Sequence, residues 1–130
     1  MAEPKLGPLE MRVMKEVWRS GRATVHDVRD ALGAKGSSLA YTTILTTLRA
    51  LEGKGLLGHE VSGRSHVYFP VVAEGAMARS VLHDVLHRLF DGSKVRLVHA
   101  LLDDRDLSRR EFEALRKQIL AVREKEEGHG

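Results

Sequence analysis

The residues best equipped for chemistry lie between positions 37 and 65. Thr42, Thr43, Thr46 and Thr47 fall within six residues, Arg49 follows, and Arg64 and Ser65 come after a further short stretch. Apolar Ile44, Leu48 and Leu51, flanked by Tyr41 and Leu45, recur with the spacing of one buried helix face, so Ser37–Lys54 is predicted to be a helix. At about 100° per residue, its opposite face carries Thr42, Thr46 and Arg49, with Ser38, Leu39 and Thr43 at the edges. An ordinary solvated face is rich in Glu and Lys, and Thr is only a middling helix former. Short hydroxyls suit a surface that must lie close to another one. They donate to phosphates or base edges, and the Thr methyl can touch a thymine methyl. Arg forks onto guanine or phosphate. The chemistry implied is nucleic-acid reading; the competing reading is a solvated helix that happens to carry Thr.

Other chemistries lack their partners. His83 and His87 stand four apart on a predicted helix and could share a metal, with Asp84 or His99 assisting, but no clear third ligand completes the set. Asp103, Asp104 and Asp106 have no following Gly and Glu to make a calcium loop, and read as a polar turn. There is no Gly-rich phosphate loop and no nucleophile motif. The chain is therefore expected not to be an enzyme, and to need no cofactor and no metal.

The elements that must position the Thr/Arg face follow from local signals. Leu9–Arg19 reads as a first helix with Pro8 at its first turn, where a missing N–H costs nothing. Met11, Val13, Met14, Val17 and Trp18 form its apolar stripe, and Ser20-Gly21 ends it. Thr24-Val25-His26-Asp27 resembles a capping box, with Asp where Glu or Gln is usual, and opens a short helix ending at Gly33. Two helices joined by a short Gly-containing turn, the second with a polar reading face, make a helix-turn-helix pattern. Beyond Gly53-Lys54-Gly55 the period changes. Leu56–Val61 and His66–Val71 are strand-like runs joined by Ser62-Gly63-Arg64-Ser65, a hairpin whose tip shows Arg64 beside Ser65 and His66. A hairpin directly after such a helix is the wing of a winged helix, and an Arg at its tip would lie near the DNA backbone or minor groove.

Ala73–Ala76 is the expected domain junction, separating a winged-helix domain over 1–74 from a helical region over 75–130. Met77–Phe90 holds Met77, Val81, Leu82, Val85, Leu86, Leu89 and Phe90, more than half the helix circumference. Asp91-Gly92-Ser93 breaks it. A second helix holds Val95, Leu97, Val98, Leu101 and Leu102, and a third, opened by the capping box Ser108–Glu111, holds Phe112, Leu115, Ile119 and Val122 before fraying from Glu124. Three short helices with so much apolar surface do not make a comfortable core alone. Burying the surplus against a second copy is the economical solution, with folding back on the winged helix as the alternative. A two-fold dimer would also present two reading helices to a palindrome.

The totals are compatible with this. The chain has 130 residues, no Cys, 42% hydrophobic and 30% charged residues, and a net charge of +3. Absence of Cys removes disulfides, Cys-zinc sites and thiol sensing. Residues 1–75 carry 10 Lys and Arg against 8 Asp and Glu, so any DNA affinity must come from the placement of charge rather than its amount. No apolar run approaches the roughly 18–20 residues of a membrane helix, and a soluble cytoplasmic protein without direct membrane association is expected.

Read together, several segments resemble the penicillinase and methicillin-resistance repressors, a winged-helix family with copper-responsive relatives. The resemblance runs from about Leu9 to Ala121. It rests on Leu9–Trp18, Tyr41–Arg49, Gly53–Leu57, Gly63-Arg64 with Tyr68-Phe69-Pro70, Leu89–Ser93 and Leu107-Ser108, in that order and spacing. It implies a homodimeric repressor whose winged helix binds a palindromic operator and whose last three helices dimerise. The family's DNA-contacting positions map onto Thr42, Thr43, Thr46, Arg49 and Arg64. In its best-known members a membrane sensor for β-lactams triggers cleavage of the dimerisation region. This chain has no Asn, so the asparagine-containing cleavage site of some members is absent, and without Cys it lacks the Cys-rich tail of the copper-responsive ones.

The expected architecture is thus mainly α with a small β-hairpin wing: a winged helix-turn-helix followed by a three-helix dimerisation region. The expected DNA-binding set is Ser38, Tyr41, Thr42, Thr43, Thr46, Arg49, Lys54, Arg64 and Ser65. The expected dimerisation set is Met77, Val81, Val85, Leu89, Phe90, Val98, Leu101, Phe112, Leu115 and Ile119. The expected partners are double-stranded DNA, a second copy of the chain, and a membrane sensor or protease acting upstream. A winged-helix module that docks a protein, or a regulator gated by a metal at His83 and His87, are the alternatives.

Overall fold

In the computed structural model, which describes residues 5–103 and 107–127, the first two helices begin where capping groups satisfy their first turns. Helix α1 (Pro8–Ser20) has Pro8 in its first turn, and the Gly7 N–H donates to Glu10 Oε1 at 3.0 Å. Gly21, at φ +81°, ends it by donating to the Val17 carbonyl at 2.8 Å. In front of α2 (Val25–Ala34), the Asp27 N–H donates to Thr24 Oγ1 at 3.1 Å and the Thr24 N–H to Asp27 Oδ2 at 2.9 Å, so the box closes with Asp in it.

Helix α3 (Tyr41–Gly53) is shorter than its periodicity predicts. Residues 37–40 are held as a connection instead. The Ser37 N–H donates to the Leu32 carbonyl at 2.9 Å, Arg29 Nε donates to the Leu39 carbonyl at 3.0 Å, and Arg12 hydrogen-bonds Ser37.

Strands β1 (Leu57–Ser62) and β2 (Ser65–Pro70) pair antiparallel from Leu57↔Pro70 to Ser62↔Ser65. The two-residue loop puts Gly63 at φ +62° while Arg64 stays at negative φ, the sign pattern of a type II′ turn. Ala23 bridges Tyr68 beside β2 through two backbone hydrogen bonds of 2.8 and 2.9 Å. At Gly58 a Cβ would come within 2.8 Å of the Phe69 ring, so only glycine lets that ring lie across the hairpin.

One core ties these elements together. Val13, Met14 and Val17 of α1, Val28 and Leu32 of α2, Ile44, Leu48 and Leu51 of α3, and Tyr68 of β2 are fully buried together. Glu16, also buried, is held by Lys35 and by Arg19 Nε at 2.9 Å, and the Trp18 indole donates to the Val72 carbonyl at 2.8 Å.

The chain divides into two compact units, 1–83 and 84–130. The division falls inside helix α4 (Glu74–Phe90), between His83 and Asp84. Met77 departs from its expected place on a dimer surface. It is 5% exposed and belongs to the core of the first unit, because α4 begins at Glu74 and brings this first-turn side chain onto that core.

In the second unit Asp91 (φ +51°) and Gly92 (φ +80°) end α4, and Ser93 Oγ caps α5 (Lys94–Leu102) by accepting from the Arg96 N–H at 3.1 Å. Ser108 Oγ likewise accepts from the Glu111 N–H at 3.1 Å at the start of α6 (Arg109–Glu127). Asp103 caps α5; Asp104 and Asp106 of the expected polar turn lie outside the described residues. Helix α6 continues past the expected fraying point at Glu124 to Glu127, as its Glu and Lys residues are good helix formers and Lys125 suits the negative end of the helix.

Among its described residues this unit buries one large apolar side chain, Leu86. Val85 and Phe90 are half-buried, while Leu89, Val98, Leu101, Phe112, Leu115 and Ile119 are exposed; Val81, just before the division, is exposed too. Among the described residues no helix is long and apolar enough to cross a membrane.

Candidate nucleic-acid interface

Packing of α3 against α1, α2 and β1 decides which of its faces is free. Ile44, Leu48 and Leu51 are turned fully inward, leaving Thr42, Thr43, Thr46 and Arg49 on the exposed side, with Tyr41 39% exposed at the first turn. Thr47 belongs to the inner face. It is 8% exposed, and its hydroxyl is satisfied by donating to the Thr43 carbonyl at 2.8 Å, so the four threonines divide three to one.

The N-terminus of α3 is unusual for an exposed helix. Its N-cap is Ala40, which supplies no side-chain acceptor, and its first turn holds no acidic residue. The free amides and the positive end of the helix dipole are therefore available to an external anion such as a backbone phosphate. Ser38 is exposed in the connection just before this helix rather than on it.

The wing approaches the same side of α3. Tyr41, Leu45 and Arg49 of α3 share one cleft with Arg64, Ser65 and His66 of the hairpin and Thr24, Val25 and His26 at the start of α2. Burial pushes up the ionisation of the Tyr68 phenol most, with the Glu52 charge adding and the Arg49 guanidinium opposing. His59 of β1 hydrogen-bonds Glu52 at 2.6 Å and stacks on His66, with ring centroids 4.8 Å apart.

Tyr41, Arg49, Arg64 and Ser65, expected from sequence, are thus brought together, and Thr42, Thr43 and Thr46 share the exposed side of the same helix. Lys54 is not in this group. Its Nζ donates to Glu10 Oε1 at 2.9 Å and to the Lys5 carbonyl at 2.7 Å, so it ties the end of α3 to the start of α1 and holds the Glu10 carboxyl below its usual range. An ion pair to a residue 44 positions away leaves no local sequence signal that would have redirected it. His26, whose ring meets that of Tyr41 at a 49° tilt with centroids 4.9 Å apart, also escaped the sequence reading, since only the packing of α2 on α3 makes the pair. His83 and His87 both lie on α4; among the described residues no three His, Asp or Glu side chains are disposed to hold a metal.

This architecture has relatives. Residues 6–121 match the family model of the penicillinase repressor. The chain belongs to the penicillinase repressor family. It is 36% identical over 129 residues to the transcriptional regulator BlaI of Mycobacterium tuberculosis, covering 97% of this chain and 88% of that one. It is 31% identical over 112 residues to the penicillinase repressor of Bacillus licheniformis, covering 86% and 87%. Among solved structures it resembles the DNA-binding domain of the repressor BlaI, with a TM-score of 0.50 and 33% identity over 58% of this chain and 90% of that domain. Membership makes this chain a winged-helix DNA-binding transcriptional repressor and not an enzyme.

Proposed function

We propose that this repressor binds a palindromic operator as a homodimer, with residues 1–74 reading DNA and residues 75–130 holding the two copies together. The observation that carries the reading is the exposed hydroxyl-and-Arg side of α3 beside a wing whose tip carries Arg64, on a helix whose first turn is left uncapped. In it, Ser38, Thr42, Thr43 and Thr46 set register and discriminate bases, while Arg49, Arg64 and Ser65 hold phosphates and supply the salt-sensitive part of the affinity.

The second unit supports the dimer. Leu101, Phe112 and Ile119 are 59%, 47% and 60% exposed, an apolar surface far too continuous for a solvated end state. A second copy covers it and doubles the DNA contacts through linkage of two half-sites. Block of transcription follows from operator occupancy, in the cytoplasm, on a regulon of the antibiotic-resistance type. Release follows from loss of the dimer, for which a membrane sensor and a protease acting upstream provide a route.

Selection of random duplex DNA against the purified protein at two salt concentrations tests this reading. The expected result is a two-fold-symmetric site whose affinity falls steeply with salt, and which Arg49→Ala, still folded, binds about 1–3 kcal/mol more weakly. Recovery of no symmetric site by folded protein overturns it.

A further inference from the structure

The cleft between the start of α2, α3 and the wing has a volume of about 420 Å³, within the range of small-ligand sites. Its chemistry is one-sided. Arg49 and Arg64 line it together with His26 and His66, and among the described residues no carboxylate does. Of the acids on the neighbouring surface, Glu52 is engaged by His59 at 2.6 Å and Glu60 by Arg22 at 2.5 Å. The two imidazoles are oriented as walls, His26 by its ring contact with Tyr41 and His66 by stacking on His59 at an interplanar angle of 12°. The helix end contributes little, because Thr24 already accepts from the Asp27 N–H. What remains is a polar cleft with cationic and hydrogen-bonding side chains from three elements.

We propose that this cleft is an anion seat for a phosphate group, in which His26 and His66, outside the reading face of α3, bind the anion alongside Arg49 and Arg64. The anion has two possible sources, a backbone phosphate of the bound duplex or a free phosphate-bearing molecule. For the first source the proposal rests on the DNA-binding reading above. For the second it stands alone, and because Arg49 and Arg64 are shared, a free anion in the seat competes with DNA.

Two measurements on the full chain separate the sources. In the first, inorganic phosphate is titrated at constant ionic strength against chloride while the imidazole Cε1–H resonances of the seven histidines are followed, assigned with H26Q and H66Q. In the second, affinity for the selected duplex is compared between the wild type and the H26Q/H66Q double variant, both positions being exposed and so tolerant of the change. A seat open to both sources moves the His26 and His66 resonances together with phosphate, leaves His99 unmoved, and weakens duplex binding about tenfold in the double variant. Phosphate-induced shifts with unchanged duplex affinity assign the seat to a free anion; weakened duplex binding without shifts assigns it to the DNA backbone. Unmoved resonances with undiminished duplex affinity overturn the proposal. If selection recovers no duplex, the DNA-binding reading fails by itself, and the phosphate titration alone still decides the seat.

Discussion

The two units of this repressor have solved the burial problem differently. In the first, the inward faces of α1, α2, α3 and β2 close on one another, with Ile44, Leu48 and Leu51 all at 0% exposure. In the second, α5 has no fully buried residue, Leu89 and Val95 are 74% and 80% exposed, and a mainly apolar groove runs between α5 and α6 along Leu101, Phe112 and Ile119. Both units have comparably clear periodicity and caps, so the difference is not one of helix formation. It is one of completion. The first unit holds the partners of its apolar side chains within the same chain, whereas the second presents its side chains outward. A domain that must hold its reading helix in a fixed pose benefits from the first arrangement. Under the proposed dimer, the second arrangement makes the stability of this unit depend on a second molecule.

The sharpest way to break this contrast is to truncate an apolar side chain in one unit and charge one in the other. Leu48→Ala leaves a cavity in a closed core and is expected to cost about 2–5 kcal/mol, read from urea unfolding of the full chain. Its cost should be the same at low and high protein concentration, because the Leu48 side chain packs wholly against neighbours in its own chain. A cost that varies with concentration would place this core under the control of association and erase the distinction.

Ile119→Asp makes the opposite case. At a position already 60% exposed, a charge leaves an isolated second unit almost unchanged, but buried against a second copy it is unpaired. Dimer dissociation is expected to rise about a hundredfold, close to 2.7 kcal/mol, measured by sedimentation across a dilution series. Affinity for a symmetric operator should fall with it, while affinity for a single half-site is retained. An unaltered dimer would remove α6 from the interface.

Legibility in the sequence follows the same division between local and distant. The helix-turn-helix, the wing and the exposed Thr42, Thr43 and Thr46 are legible because their causes are local: an apolar period, a Thr24–Asp27 box, a two-residue hairpin loop. Periodicity alone puts Ser38 on a helix, but bonds from Arg29 to Leu39 and from Ser37 to Leu32 hold the preceding segment as a connection. Lys54 reads as a phosphate ligand because nothing nearby announces Glu10. Met77 shares the apolar pattern of the rest of α4, and only its position over the first core separates it from the side chains that remain exposed. His26 enters the cleft through α2–α3 packing, with no spacing signal of its own. Periodicity reports which face of a helix is apolar; it does not report whether the cover belongs to the same chain.

Glu16 tests how far the closure of the first unit relies on charge. Lys35 first, then Arg19, lowers the Glu16 carboxyl below its ordinary value against the opposing effect of burial. Lys35 and Arg19 are both well exposed, so solvent screens their contribution and Glu16→Gln is expected to cost only about 1–2 kcal/mol at neutral pH. The sign with pH is fixed by the direction of the shift. A carboxyl whose folded value lies below its unfolded one stabilises the fold fully above the unfolded value of about 4.5, and that stabilisation is lost as pH falls through the folded value. Urea midpoints of the wild type and Glu16→Gln should therefore differ at pH 7, converge below about pH 4.5, and meet once Glu16 is protonated. Parallel midpoints across that range would mean that the side chain stabilises by shape alone, and the first unit would then owe its closure wholly to the apolar packing that the second unit lacks.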